Sequence, residues 1–289
     1  MEKRIALIAV TFMIVGMSGS AVLALSPMGP PKAMLGQDRW AVGIDYAYET
    51  MDLEASGTDK QITYVTGLDP DPATPRRGKY KIKDLKSNIV LGRVSYGISD
   101  NWDAFLRLGV ADAECDIDQT YPDGAQHEYK GFDGSFGFAW GLGTKVTIWE
   151  DNDVSWGGLL QMTWVEPGDS DISSILQPGN LNYSGTAEIE FREVQLAIGP
   201  TWRLVDGFCL YGGPFLHFVN GDIDFSGETV VDSDTRIDME SSGDIEEKSQ
   251  FGGYFGASWG ASEDIFRFFI ELQFTGDAGC AGLGAAWRF

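Results

Sequence analysis

The feature that most constrains this chain is a two-residue alternation of large apolar residues with small or charged ones. In the segment WAVGIDYAY, which begins at Trp40, every even position is large and apolar, and every odd position is small or charged. The same alternation occurs in FGFAWGLGTKVTI from Phe136 and in FRFFIELQF from Phe266. Successive side chains of a β-strand point to opposite faces, so each segment is predicted to be a strand with one apolar face. The pattern predicts an all-β protein.

Ten such segments are predicted, and their connections alternate between short polar turns and long stretches. Several segments have the ten or so residues that a tilted strand needs to cross a bilayer. The 37 glycines are spread through the apolar stretches, which suits close-packed strands better than helices. The predicted segments are roughly 38–50, 86–98, 102–112, 135–149, 154–166, 187–204, 208–220, 249–260, 265–275 and 278–289.

The composition of the two faces indicates which face meets which solvent. A soluble sandwich would bury its apolar face, whereas here the large aromatics oppose glycines and charges. We expect the apolar face to meet lipid, where every strand edge must be paired and closure into a ring pairs all of them. The predicted fold is a closed antiparallel up-and-down transmembrane β-barrel of about ten strands. An eight-stranded barrel with one extramembrane hairpin is the alternative, because segment 208–220 is apolar on both faces and contains Pro214.

The N-terminal residues have the composition of an export signal. A basic pair, Lys3 and Arg4, precedes an apolar run, and small residues follow up to Ala24. This order predicts a cleaved secretory signal peptide over residues 1–24. Residues 25–289 are then predicted to form a single barrel domain.

The last strand carries a more specific resemblance. The chain ends in LGAAWRF, in which Leu283, Trp287 and Phe289 fall on one face. This ending resembles the closing strand of bacterial outer-membrane β-barrel proteins, such as the small OmpA/OmpX-like and porin-like barrels. The resemblance implies a location in the bacterial outer membrane, contact with outer-membrane lipid and lipopolysaccharide, and a role for these three residues as a signal for the outer-membrane assembly machinery.

Charge is distributed unevenly along the chain. The 43 acidic residues exceed the 21 Lys and Arg residues, which gives a formal net charge of −22 and excludes nucleic acid as a partner. Four long connections are predicted as loops on the outer side of the membrane, at about 50–85, 112–134, 166–186 and 220–248. The last three are strongly acidic, whereas the first contains the basic residues Arg76, Arg77 and Lys79, which are candidates for contact with lipopolysaccharide phosphates.

Two sets of charged residues are candidates for function. Clustered carboxylates supply the hard oxygen ligands that divalent cations prefer, although a solvated acidic surface is the favoured explanation for them. The weak metal candidates alternate along one predicted strand face and are Asp112, Glu114, Asp116 and Asp118. The second set is predicted to face the lumen, where mixed charges pair with one another or line a narrow pore. It comprises Asp45, Glu49, Arg93, Arg107, Lys145, Glu193, Arg203, Arg267 and Glu271.

Catalytic and redox chemistry have little support in the sequence. The two histidines are His127 and His217, and neither lies in a recognisable catalytic motif. The three cysteines, Cys115, Cys209 and Cys280, are predicted to be free thiols. No cofactor is implied. We therefore expect a non-enzymatic outer-membrane barrel whose acidic loops serve surface interaction or envelope stability. A narrow passive channel with cation preference is the alternative, and an omptin-like barrel enzyme comes third.

Overall fold

The computed structural model describes residues 26–71, 75–176, 181–205, 207–260 and 265–289. The predicted signal peptide, residues 1–24, lies outside them. No helix among the described residues is long and apolar enough to cross a membrane. The strands are β1 (Trp40–Val65), β2 (Arg76–Ser99), β3 (Trp102–Thr120), β4 (Gln126–Glu150), β5 (Val154–Glu166), β6 (Ser170–Leu176), β7 (Leu181–Val205), β8 (Phe208–Val230), β9 (Thr235–Glu246), β10 (Phe251–Gly260), β11 (Phe266–Phe274) and β12 (Ala278–Arg288).

A closed ring of ten antiparallel strands forms the lower part of the molecule, which we call the membrane ring. Its order is β1-β2-β3-β4-β5-β7-β8-β10-β11-β12, and β12 pairs with β1 to close it. The closing register runs from Ala41 opposite Arg288 to Met51 opposite Ala278. The ten-stranded barrel predicted from the sequence is therefore confirmed, and the eight-stranded alternative is wrong for this ring.

The membrane ring has an apolar exterior and a largely polar lining. On β1, Ile44 is 55% exposed on the outside, whereas the neighbouring Asp45 is 1% exposed on the inside. Strands cross a bilayer as a closed ring with an apolar exterior, because no backbone group may remain unpaired in lipid. The barrel is thus of the outer-membrane type, as the alternation predicts.

A second, narrower ring stands on the membrane ring, and we call it the outer extension. Here β9 pairs with β8 and β1, above the ends of β10, β11 and β12. Likewise β6 pairs with β7 and β4 above the end of β5. The strand order of the outer extension is β1-β2-β3-β4-β6-β7-β8-β9, which closes on β1.

The long connections predicted as loops over 50–85, 112–134, 166–186 and 220–248 are therefore mostly strand. β1 continues to Val65, and β8 continues to Val230 before β9 begins at Thr235. The difference arises because this part of the barrel meets water instead of lipid. Its outward residues are polar, so the contrast between large apolar and small residues that marks the membrane strands is lost. Inward residues such as Leu53 and Ile82 remain apolar and buried.

Candidate functional site

The lumen of the membrane ring is occupied by the chain itself. Residues 26–36, which we call the plug segment, run from the middle of the lumen to the rim where β1 begins, and residues 26–30 are all buried. Ser26 is 0% exposed and Met28 is 1% exposed. The predicted lumen charges therefore face a peptide and not an open pore.

Charged side chains of the wall bind the inner end of the plug segment. The Ser26 hydroxyl donates to a carboxylate oxygen of Glu193 at 2.9 Å, and the Met28 N–H donates to Glu271 at 2.9 Å. The Lys145 ammonium donates to the Met28 carbonyl at 2.6 Å. Both backbone groups of Met28 are thus paired with opposite charges from the wall, which compensates for their removal from water.

Three further donors converge on the two carbonyls that precede Met28. Arg107 Nη1 donates to the Pro27 carbonyl at 3.0 Å. The amides of Gln161 and Gln273 both donate to the Ser26 carbonyl, at 3.1 and 3.0 Å. A carbonyl oxygen has two lone pairs, so these two amides use the full acceptor capacity of Ser26. The wall is matched to the backbone of this segment.

The C-terminal end of the plug segment is fixed at the rim where β1 begins. One carboxylate oxygen of Asp103 accepts the N–H groups of both Met34 and Leu35, at 2.5 and 3.2 Å. Lys32 forms an ion pair with Glu150 at 2.8 Å. The segment is therefore held at both ends, mainly by hydrogen bonds and an ion pair to the wall.

Missing side chains in the wall make room for the plug segment. A Cβ on Gly157 would lie 2.5 Å from the Cα of Lys32, closer than real Cβ atoms approach other atoms. A Cβ on Gly97 would lie 1.8 Å from the carbonyl oxygen of Gly36. At these two positions only glycine allows the segment to pack against the wall.

Most of the predicted lumen charges do lie inside the ring. Arg93 forms an ion pair with Asp45 at 3.1 Å, and the Asp45 side chain is fully buried. The placement of Arg203 in the lumen is wrong, because its side chain is 55% exposed at the rim and pairs with Glu150 at 3.5 Å. Arg203 has inward parity but lies below the plug segment, where the ring opens to water. The remaining charges are buried at Glu49, Arg107, Lys145, Glu193 and Glu271, whereas Arg267 is half-buried.

Buried side chains surround the plug segment and continue above it. A cavity of about 80 Å³ lies near the rim where β1 begins, between the plug segment and Phe105. Above the plug segment, Phe191 and Phe215 are buried and belong to the same apolar core as the interior of the outer extension. There, the Phe225 ring stacks on Tyr80 and Tyr129, with centroids 5.6 and 5.2 Å apart. The lumen is thus filled both by the plug segment and by side chains above it.

A buried histidine and a carboxylate pair where the two rings meet. His217 Nδ1 lies 3.0 Å from Glu247 Oε1, and both side chains are almost fully buried. Asp222, five residues after His217 in the chain, points outward from β8. Sequence reasoning did not single out Glu247 as the partner, because it lies 30 residues away and no local spacing links the two. His127 is also buried and packs edge-on against Tyr121 at 5.2 Å.

The weak metal candidates share the outer face of β3, but three of them contact side chains of β2, and Asp116 contacts the backbone of β4. Lys83 contacts Asp118 at 2.5 Å, and Lys86 contacts Glu114 at 3.6 Å. The other two, Asp112 and Asp116, accept hydrogen bonds from Asn88 and from the Gly131 N–H. Within the described part of the chain, no group of three or more His, Cys, Asp or Glu side chains is arranged to hold a metal ion. The four carboxylates are not brought together as a site.

The terminal residues and the cysteines complete the candidates. Leu283, Trp287 and Phe289 are 50%, 57% and 66% exposed on the outside of the barrel. The backbone of Phe289 exchanges two hydrogen bonds with Trp40 at the seam between β12 and β1. Their role in assembly stays a prediction. The expected free thiols are present and buried at Cys115, Cys209 and Cys280.

Comparisons with known proteins give only distant similarities. No protein-family model matches the chain, and no curated protein matches it. Solved structures with similar folds include OprG from Pseudomonas aeruginosa, at 9% identity and a TM-score of 0.38, covering 89% of this chain and 99% of that one. The outer-membrane protease OmpT from Escherichia coli has 10% identity and a TM-score of 0.41, covering 89% and 99%. The toluene transporter TbuX from Ralstonia pickettii has 10% identity and a TM-score of 0.39, covering 93% and 94%.

Proposed function

We propose that this protein is a sealed, non-enzymatic outer-membrane barrel whose outer extension serves surface interaction. One observation carries the proposal: the lumen is filled by the plug segment and, above it, by a continuous core of buried side chains. A passive channel needs a continuous path for water and ions. The filled interior therefore favours the surface role over the alternative of a narrow cation-preferring channel.

The construction of the outer extension suits a binding platform. Its eight strands close into a ring with their own buried aromatic core, so the exposed face is a sheet surface and not a set of flexible loops. A preorganised surface loses less conformational entropy when it binds a partner. Strand pairing extends to the hairpin tips, where Val65 pairs with Thr235 and Val230 pairs with Arg236.

The enzyme alternative receives little support from the buried pair of His217 and Glu247. The side chains of His217 and Glu247 are 0% and 1% exposed, and His217 lies opposite Gln195 and beside the Phe215 ring. A general base must come within hydrogen-bond reach of the proton that it removes. The burial of this pair supports the proposal of a structural role.

Conductance measurements in planar bilayers test the seal. The full-length protein is expected to be silent, and a variant that lacks residues 26–35 is also expected to be silent, because the core above the plug segment remains. A steady cation-selective conductance from the full-length protein would support the channel alternative and overturn the proposal. Conductance from the shortened variant alone would show that the plug segment is the whole seal.

Surface presentation is tested on intact cells. A cysteine in place of Leu68, which is 71% exposed at the β1–β2 hairpin, is expected to react with a membrane-impermeant maleimide. A cysteine in place of Asp151, in the turn that joins β4 to β5, is the matched control and is expected to react only after the cells are opened. The reverse labelling pattern would place the outer extension in the periplasm and remove the basis of the proposal.

A further inference from the structure

The outer surface of the outer extension has a depression where β2, β1 and β9 lie side by side. Gly57 of β1 pairs with Gly78 of β2 on one side and with Gly243 of β9 on the other. All three glycines occupy inward positions of the strand alternation. Three neighbouring strands therefore lack an inward side chain at the same height. This allows the barrel wall to lie closer to the barrel axis here than in the surrounding sheet.

The interior fills the space that the missing side chains leave. A Cβ on Gly243 would lie 3.3 Å from the Tyr80 ring, and a Cβ on Gly78 would lie 3.1 Å from Nε2 of Gln119. Both Tyr80 and Gln119 donate hydrogen bonds to the buried Asp59 carboxylate. The glycine row therefore packs directly on a fixed polar cluster, and this packing holds the depression in place.

On the outer surface, the depression forms a groove of about 920 Å³, which we call the dipolar groove. Its floor carries the hydroxyl groups of Ser56, Thr58 and Ser242. Its basic wall consists of Arg77 and Lys79, which flank Gly78 on the outer face of β2. Its acidic wall consists of Glu190, Asp222, Asp224 and Asp244, from β7, β8 and β9.

The two walls do not neutralise each other. Within the described residues, no ion pair involves Arg77, Lys79 or any carboxylate of the acidic wall. From β2 across β1, the acidic wall begins two strand spacings away on β9 and continues on β8, three spacings away, so the backbones of the two walls are roughly 10–14 Å apart. The charges of both walls therefore remain available to a ligand.

Strand pairing concentrates negative charge on the acidic wall. Glu190 lies opposite Asp222, and Asp222 lies opposite Asp244, so three carboxylates form one row across β7, β8 and β9. Partial burial and the nearby Asp222 raise the pKa of Glu190. The same two causes raise the pKa of Asp224. Like charges directly opposite each other are unfavourable in a sheet, and a bound cationic group would relieve them.

We propose that the dipolar groove binds an extended peptide segment of a partner protein, with acidic side chains on the basic wall and Lys or Arg side chains on the acidic wall. The inference rests on the surface role proposed above and names its site. An extended chain rises about 3.3 Å per residue, so about four or five residues span the roughly 10–14 Å between the walls. A single amino acid is too short to reach both walls, and a purely anionic or purely cationic chain is repelled by one of them.

Fluorescence anisotropy on the full-length protein in detergent micelles tests this proposal. The probes are the labelled peptide Asp-Asp-Ser-Gly-Ser-Lys-Lys and its reversed sequence, with all-Asp and all-Lys peptides of equal length for comparison. We expect at least one mixed peptide to bind more tightly than both single-charge peptides. Salt at about 1 M, where screening shortens to about 3 Å, is expected to weaken this binding.

Charge reversals in each wall locate the binding. Lys79→Glu and Asp222→Lys are each expected to weaken binding of the mixed peptide about tenfold. The control variants Lys81→Glu and Glu228→Lys lie on the same outer faces but outside the groove, and they are expected to leave this binding unchanged. The heat-modifiable folded band of each variant checks that it has folded. Equal losses at groove and control positions would overturn the groove assignment, as would tighter binding of a single-charge peptide.

The peptide experiment is separable from the test of the proposed function. If neither mixed peptide binds, the dipolar groove is not a peptide site, and this inference is overturned. The sealed-barrel proposal then still stands or falls on its own conductance and labelling results, which do not depend on the groove.

Discussion

At the scale of single residues, two adjacent glycines of β5 give a test of the plug segment. Gly157 faces the lumen, where an added Cβ would lie 2.5 Å from Lys32 Cα, whereas the nearest atom to an added Cβ on Gly158 is 3.6 Å away. We expect Gly157→Ala to force the plug segment away from the wall, at a cost of about 1–3 kcal/mol. Gly158→Ala is the matched control and is expected to be tolerated.

Labelling of the plug segment measures this effect. In each background, a cysteine replaces Met28, which is 1% exposed. Maleimide is expected to react faster with this cysteine in the Gly157→Ala protein than in the Gly158→Ala protein. Equal, slow reaction in both would mean that the segment and the wall adjust without opening.

Arg107 is one of the buried charged residues that link the wall to the plug segment. It is 1% exposed and donates to the Pro27 carbonyl and to Thr163. Removing one charge from a buried network leaves its partners uncompensated, so Arg107→Met is expected to cost about 3–5 kcal/mol. Arg203→Met, at the exposed rim, is expected to cost less than about 1 kcal/mol. Denaturant unfolding in micelles compares the two variants, and equal losses would contradict the importance of the buried network.

At the scale of elements, the sequence predicts the strands of the membrane ring and misses those of the outer extension. The pattern around Trp40 is visible because the two faces of β1 meet lipid and the polar lumen. Beyond about Met51 the outward residues are polar, and the remaining signal is a row of inward apolar residues that resembles an ordinary loop. The pairing of β9 with β1 also joins residues far apart in the chain, such as Ile62 and Asp238, and no local pattern records it.

The plug segment was missed for a related reason. Residues 26–36 contain Pro27, Pro30 and Pro31 and lack any alternation, which is the composition of a linker. Their position is set by donors and acceptors on distant strands, for example Gln273 on β11. The alternation along each strand predicts which charged residues face the lumen, but it does not predict that the plug segment is their common partner.

The row of carboxylates across β7, β8 and β9 leads to a prediction about stability. Asp222 lies between Glu190 and Asp244, so Asp222→Asn is expected to stabilise the protein by about 0.2–1 kcal/mol at neutral pH. Thermal unfolding of the two proteins measures the gain. Asp171→Asn, an exposed change on β6, is the control and is expected to have no effect.

The pH dependence of this gain follows from the raised pKa values of Glu190 and Asp224. A carboxyl group whose pKa is raised by folding binds its proton more tightly in the folded state, so its protonation stabilises the fold and its ionisation destabilises it. As the pH falls from neutral toward the range where these groups protonate, the native protein is expected to gain stability. The advantage of Asp222→Asn should shrink over the same range. An advantage that is constant with pH would argue against charge repulsion as its cause.

At the scale of the whole molecule, closure depends on one seam between the first and last strands of the ring. β12 pairs with β1 from Ala41 to Met51, and Phe289 and Trp40 exchange backbone hydrogen bonds at the end where β1 begins. Ring closure could be predicted from the apolar exterior alone, because an open edge is unfavourable in lipid. The narrowing from ten strands to eight could not, since it depends on where β10, β11 and β12 end and β9 begins.

The exposed terminal aromatics at this seam are predicted to act in assembly. Phe289 is 66% exposed and Trp287 is 57% exposed, so removing Phe289 takes away little buried surface from the folded barrel. We expect its deletion to reduce the heat-modifiable folded band in the outer-membrane fraction far more than it lowers the unfolding stability of the purified, refolded protein, which loses only the two backbone hydrogen bonds to Trp40. Trp259→Ala is the control, because Trp259 is 52% exposed on the same apolar exterior but lies inside the chain on β10. If this change lowers the yield as much as the deletion does, the aromatic belt and not the terminal position is responsible. Unchanged yield after deletion of Phe289 would show that the terminal residue is not a signal for assembly.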